Sequence, residues 1–149
     1  MTVNTVGTTG TGLKGEYFTG LDFTGLALTR TDARIDFNWG AASPGAGVPA
    51  GTFGVRWTGK VEAPATEQVV FCAGADDGIR VRINGAVVVE NYYDHAFQTT
   101  CGSVALTAGQ KYTIAIDYYS KGAPAAAKLE WWYPSGSYEV VPMRYLFPQ

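Results

Sequence analysis

Apolar residues recur at every second position through several stretches of this chain. Ile79, Val81 and Ile83 alternate with Arg80 and Arg82, the period of a strand with one buried face. Asn84-Gly85 follows, a dipeptide suited to a two-residue type I′ turn because both central residues of that turn need positive φ. Residues 78–90 are therefore expected to form a β-hairpin. Residues 34–39 alternate in the same way. The stretch 52–57 places Phe53, Val55 and Trp57 on one face, and 111–119 turns Tyr112, Ile114, Ile116 and Tyr118 inward. Residues 67–72 are nearly all apolar and suit a strand buried on both sides. Segments 129–133 and 139–146 supply the last strands, and 40–51 is a Gly/Ala/Pro loop. About nine or ten short strands, with no capped segment of helical period, predict an all-β chain: an antiparallel β-sandwich or distorted barrel.

Composition narrows the class. The 149 residues suffice for one domain with a real core, and 19 glycines and 7 prolines agree with strands joined by turns. Residues 1–12 are Thr/Gly-rich without aromatics and read as a linker, which implies a domain belonging to a larger multi-domain chain; residues 13–149 form the single β domain. No internal repeat of fixed period is visible. A net charge of −2 offers no electrostatic footprint for nucleic acid or an anionic membrane. The apolar runs are too short to insert in a bilayer, and no secretory leader pattern is present.

The candidate chemistry lies just before the hairpin. Asp76 and Asp77 are adjacent carboxylates at a strand-to-strand corner, followed by Gly78. Hard oxygen ligands suit calcium. Neighbouring side chains of a regular strand point to opposite faces, so the pair converges only if the corner is irregular. The alternative is that both carboxylates accept loop N–H groups and only shape the corner. Calcium takes about 6–8 oxygens, so two carboxylates need further donors.

Asp76-Asp77-Gly78, Arg80, Asn84-Gly85, the valines at 87–89, Asn91-Tyr92 and His95 together resemble the central motif of the protective-antigen-fourteen (PA-fourteen) domain. Gly15-Glu16-Tyr17-Phe18 is similar to that family's first strand. Tyr118-Tyr119 and Leu129-Glu130-Trp131 are similar to its later strands, so the resemblance spans roughly residues 13–147. It implies a non-catalytic, extracellular, lectin-like carbohydrate-binding module, secreted or at a cell surface and active in adhesion. In the lectin branch of the family a cis peptide joins the two aspartates, and a calcium ion held there is completed by a vicinal diol of a glycan. Carried onto this chain, Asp76 and Asp77 hold the metal. The 120–127 segment supplies the Ser120 oxygen and the carbonyls near Gly122 and Pro124. The family often has Asn or Gln in that segment; here Ser120 is its only side-chain oxygen. Beside the acidic corner, an exposed Tyr93 can stack on a sugar C–H face and is the expected ligand contact, while His95 reads as a structural histidine. Trp131 matches the family's core Trp, and strand alternation makes Trp132 its outward neighbour. A secreted module also favours a Cys72–Cys101 disulfide over two buried thiols, closing a loop of about thirty residues.

Two other readings remain beside the lectin. One is a spacer domain of a surface protein or glycosidase, without its own ligand. The other is an enzyme, for which Asp36, Asp117, Glu130 and Glu139 are the available carboxylates. Their spacing selects no pair, and no nucleophile motif, phosphate loop or zinc spacing accompanies them, so an enzyme is not expected.

Overall fold

A computed structural model describes residues 9–149. It contains twelve strands: β1 Leu13–Phe18, β2 Leu26–Asp32, β3 Asp36–Gly40, β4 Thr52–Glu62, β5 Glu67–Asp76, β6 Gly78–Ile83, β7 Ala86–Asn91, β8 Gln98–Leu106, β9 Lys111–Lys121, β10 Ala125–Trp132, β11 Glu139–Val140 and β12 Leu146–Phe147. They form two antiparallel sheets. The larger runs β2-β1-β4-β9-β6-β7, with β12 also paired to β4; the smaller runs β11-β10-β5-β8, with β3 also paired to β10. The sheets face each other as a sandwich and do not close into a barrel. Among the described residues, no helix is long and apolar enough to cross a membrane.

The alternation read from the chain is the packing seen. Phe53, Val55, Trp57, Ile116 and Tyr118 point inward from the larger sheet against Phe71, Ala73, Leu129 and Trp131 of the smaller one, all fully buried. Each such large side chain contributes about 1.5–3 kcal/mol by leaving water. Trp132, next to Trp131, is 44% exposed, as period two requires. A carboxylate, Asp32, is built into this interior. Asp32 accepts hydrogen bonds from the Tyr17 hydroxyl (2.6 Å), Trp57 Nε1 (2.8 Å) and Arg30 Nε (2.7 Å). Burial, and then the Asp32 carboxylate, push the Tyr17 phenol far above its ordinary pKa, so Tyr17 stays a donor.

The hairpin lies where it was expected. β6 and β7 pair around Asn84 and Gly85, with φ of 54° and 84° as a type I′ turn requires, and a bulge falls at Val81/Arg82. Cys72 and Cys101 are directly opposed in the β5–β8 register, 4.1 Å apart at Cα, and form a disulfide. The stretch 139–146 departs from the expectation of one strand. It is β11, a 3-10 turn at Met143–Tyr145, and β12. Pro142 lacks an N–H and cannot continue a ladder.

Residues 1–8 of the linker assignment lie outside the described residues. Residues 10–12 are attached to the domain: Gly10 N–H donates to the Arg144 carbonyl (2.8 Å) and Gly12 N–H to that of Leu146 (3.0 Å). This contact lies at one pole of the sandwich, because Leu146 pairs with Val61 near the end of β4. The start of β4 pairs with Lys121 at the other pole, and that pole carries the Asp76-Asp77 corner.

Candidate metal and ligand site

β5 ends at Asp76 and β6 begins at Gly78, so the chain passes from the smaller sheet to the larger at Asp77. The Asp76–Asp77 peptide bond is cis. Both side chains are half-buried and line one open depression with Asp94, His95, Lys121 and the 122–124 turn. Gly78 is glycine for a steric reason: a Cβ there would collide with the Tyr119 ring.

Two segments, the one carrying His95 and the end of β9, converge on Asp77. Its carboxylate accepts the backbone N–H of His95 (3.1 Å) and of Lys121 (2.7 Å), and its own N–H donates to the Tyr119 carbonyl (3.0 Å). Asp76 is held from below, where the Tyr118 hydroxyl donates to its carbonyl (2.7 Å) and accepts from Ala126 N–H (3.1 Å). Burial, then the charge of Asp77, raise the Asp76 pKa; the His95 side and the Phe97 N–H offset part of this.

The segment expected to supply further oxygens is shorter than the 120–127 loop read from the sequence. Ser120 and Lys121 still belong to β9, paired with Phe53 and Thr52, and 125–127 already belong to β10. Only 122–124 is a turn, and the Ala123–Pro124 bond is cis. Ser120 is therefore not a side-chain donor to the depression. It is fully buried, and its hydroxyl lies 2.7 Å from the Gly51 carbonyl and 3.0 Å from that of Gly122. Strand pairing with Phe53 turns it inward. Gly122 and Pro124 do line the depression.

Tyr93 is 55% exposed and packs edge-on against His95 at 4.8 Å, but it stands outside the lining of the depression. Tyr92 is half-buried between the Tyr119 ring (5.0 Å) and the Arg80 guanidinium (4.3 Å). The His95 ring faces two carbonyls, with Nδ1 2.7 Å from Ala96 O and Nε2 3.2 Å from Asn91 O, a structural arrangement.

Sequence reasoning missed Asp94. It lines the depression, accepts a short hydrogen bond from the Tyr119 hydroxyl, and pairs with the Lys121 ammonium at 3.1 Å. The Tyr119 hydroxyl, then Lys121, hold its pKa below the usual carboxylate value. Its only signal in the chain was its place in Tyr92-Tyr93-Asp94-His95.

The four carboxylates weighed for an enzyme are dispersed. Asp117 is buried among Arg56, Arg80 and Arg82 on the outer face of the larger sheet. Glu139 accepts from Trp131 Nε1, Glu130 accepts from the Tyr138 hydroxyl, and Asp36 lies on β3.

A family model for the PA14 domain matches residues 10–144, nearly the whole described chain. The chain belongs to the PA14 domain family. A curated relative, the anti-sigma-I factor RsgI3 of Acetivibrio thermocellus, is 36% identical over 140 residues, covering 94% of this chain and 22% of that protein. This PA14 domain thus spans about a fifth of that relative's length. A solved anti-sigma factor domain-containing protein superposes with a TM-score of 0.91 at 35% identity, over 93% of this chain and 48% of that one. The PA14 sugar-binding domain of an RTX adhesin superposes with a TM-score of 0.73 at 21% identity, over 93% and 99% of the two chains, a likeness of fold.

The residues of the PA14 corner can be tested for their fit to a cation. Among the described residues, no group of three or more His, Cys, Asp or Glu side chains is arranged to hold a metal alone. The oxygen ligands at hand are the Asp76 and Asp77 carboxylates, which line the depression together with residues 121–124. Each carboxylate oxygen of Asp77 has a second lone pair beyond its N–H bond. An all-oxygen set with open positions fits calcium better than a transition metal.

Proposed function

We propose that this domain is a non-catalytic carbohydrate-binding module in which Asp76 and Asp77 hold a calcium ion and hydroxyls of a glycan complete its shell. The observation that carries the reading is the open depression in which both carboxylates stand beside the backbone of 121–124. The nearby ammonium, Lys121, is engaged with Asp94, and the charges of Asp76 and Asp77 repel one another. A divalent cation relieves that repulsion, and a shell that lacks protein ligands leaves room for a diol. The shared fold with the sugar-binding domain of the RTX adhesin supports a sugar as ligand. The disulfide supports an oxidising, extracellular location.

A spacer reading has one observation in its favour: Asp77 also fastens the His95 and Lys121 backbones, a structural task that needs no ligand. Glycan-array binding measured with calcium and again with chelator separates the two. Binding that disappears in chelator supports the module. A folded, calcium-replete domain that binds no glycan supports the spacer.

A further inference from the structure

A second depression opens beside the first on the outer face of the smaller sheet. It measures about 340 Å³, within the range of small-molecule sites. It shares Asp76 and Pro124 with the calcium corner, so the two are continuous. Its far side is built from β3, where Asp36 and Asn38 occupy alternate positions and share a face. In the β3–β10 register Asn38 stands opposite Ala126 and Asp36 opposite Lys128. Among the described residues, the side chains of Asp36, Asn38 and Lys128 have no ion-pair partner.

The near side is Phe97, an aromatic ring left 49% exposed. Gly74 determines where the ring lies: a Cβ on Gly74 would come within 2.6 Å of Phe97 Cζ. Any larger residue at this strand position would lift the ring off the sheet. Apart from Asp76, which belongs to the calcium corner, the groove therefore offers one apolar ring surface opposed by a carboxylate, an amide and an ammonium, with no net charge from Asp36 and Lys128 together. Such a lining matches a neutral polyol with an apolar C–H face and several hydroxyls.

We infer that this groove is a second sugar subsite, in which Phe97 stacks on the residue next to the one at the metal and Asp36, Asn38 and Lys128 take its hydroxyls. The domain then selects a neutral oligosaccharide rather than a single sugar. The inference rests on the carbohydrate-binding reading above.

Calorimetric titration with glucose, galactose, mannose and xylose and their β-1,4-linked di-, tri- and tetrasaccharides, each in calcium and in chelator, tests it. Affinity should rise about tenfold from mono- to disaccharide or trisaccharide, the scale of one buried ring contact. Phe97→Ala should abolish that gain and leave monosaccharide binding and the calcium-dependent melting shift unchanged. Gly74→Ala, which displaces the ring without removing it, should reproduce the effect. Trp132→Ala, an exposed aromatic on the same sheet outside the groove, should not. Calcium-dependent binding without a chain-length gain overturns the subsite and leaves the proposed function standing. So does a gain that survives Phe97→Ala or is lost equally on Trp132→Ala. Failure of every sugar of every length to bind overturns both.

Discussion

Replacing Asp77 and Asp76 one at a time by asparagine separates their structural and ligand-binding roles. In chelator, Asp77→Asn keeps one acceptor oxygen for two backbone donors, the N–H groups of His95 and Lys121. Its new amide NH₂ is set against one of them. A hydrogen bond to a charged acceptor is worth about 1.5–3 kcal/mol, and partial exposure of Asp77 places this loss near the lower end, about 1.5 kcal/mol. For a chain of this size that corresponds to a fall in Tm of about 5 °C. Asp76→Asn behaves differently in chelator. The amide oxygen still accepts the Phe97 N–H, and the repulsion from Asp77 is gone, so stability stays within about 0.5 kcal/mol of the native protein. In calcium at a hundredfold excess over Kd the native domain gains about 2.7 kcal/mol, and both variants lose that gain. Differential scanning fluorimetry in the two buffers gives all six values. An Asp77→Asn variant as stable as the native protein in chelator would refute the fastening role. An Asp76→Asn variant with the full calcium response would remove Asp76 from the metal site.

In chelator, the native domain should become more stable relative to Asp76→Asn as pH falls. The folded-state pKa of Asp76 is raised, so its stabilising contribution is complete below the unfolded value and is lost as pH rises through the folded one. A pH-independent difference in Tm counts against this assignment. Replacing both Cys72 and Cys101 by alanine should cost about 3–4 kcal/mol from a sequence separation of 29, read as a lower urea midpoint; no shift would mean that the bridge adds nothing. Asp32→Asn turns an NH₂ toward Arg30 or withdraws an acceptor from Tyr17 and Trp57, and should cost about 3–5 kcal/mol in chemical denaturation; a cost below about 1 kcal/mol would contradict the network. Gly102→Ala drives a Cβ into the Val88 carbonyl, which is backbone and cannot swing aside, so a loss of about 3 kcal/mol or failure to fold is expected; a stable variant would rule out this packing.

The strands legible in the chain were those with one clear buried face, such as β4, β6 and β9. β2 and β8 were not legible, because Leu26–Asp32 and Gln98–Leu106 are largely exposed edges whose threonines and serines carry little apolar signal. The Asp76-Asp77 corner was legible because two carboxylates beside an Asn-Gly hairpin are unusual neighbours. Ser120 was misplaced because its direction depends on how far β9 continues alongside β4, a register that no local pattern encodes. Asp94 and the groove were hidden for a related reason. Asp94 acquires its role only when Tyr119 arrives from β9, and Phe97 only when it meets the bare Gly74 of β5. Sites assembled across strands are properties of register, and register is fixed by the whole core.

The placement of residues 10–12 beside Leu146 has a mechanical consequence. The entering and departing segments are fastened together at one pole, while the Asp76-Asp77 corner occupies the other, and β4 connects the two with 11 residues, roughly 35 Å of extended chain. A pull applied through both flanking segments loads the Gly10–Arg144 and Gly12–Leu146 contacts and bypasses the sandwich. The pole with the Asp76-Asp77 corner stands outside the line of force. Tension on a longer chain would therefore leave the grip on a ligand undisturbed until those terminal contacts give way.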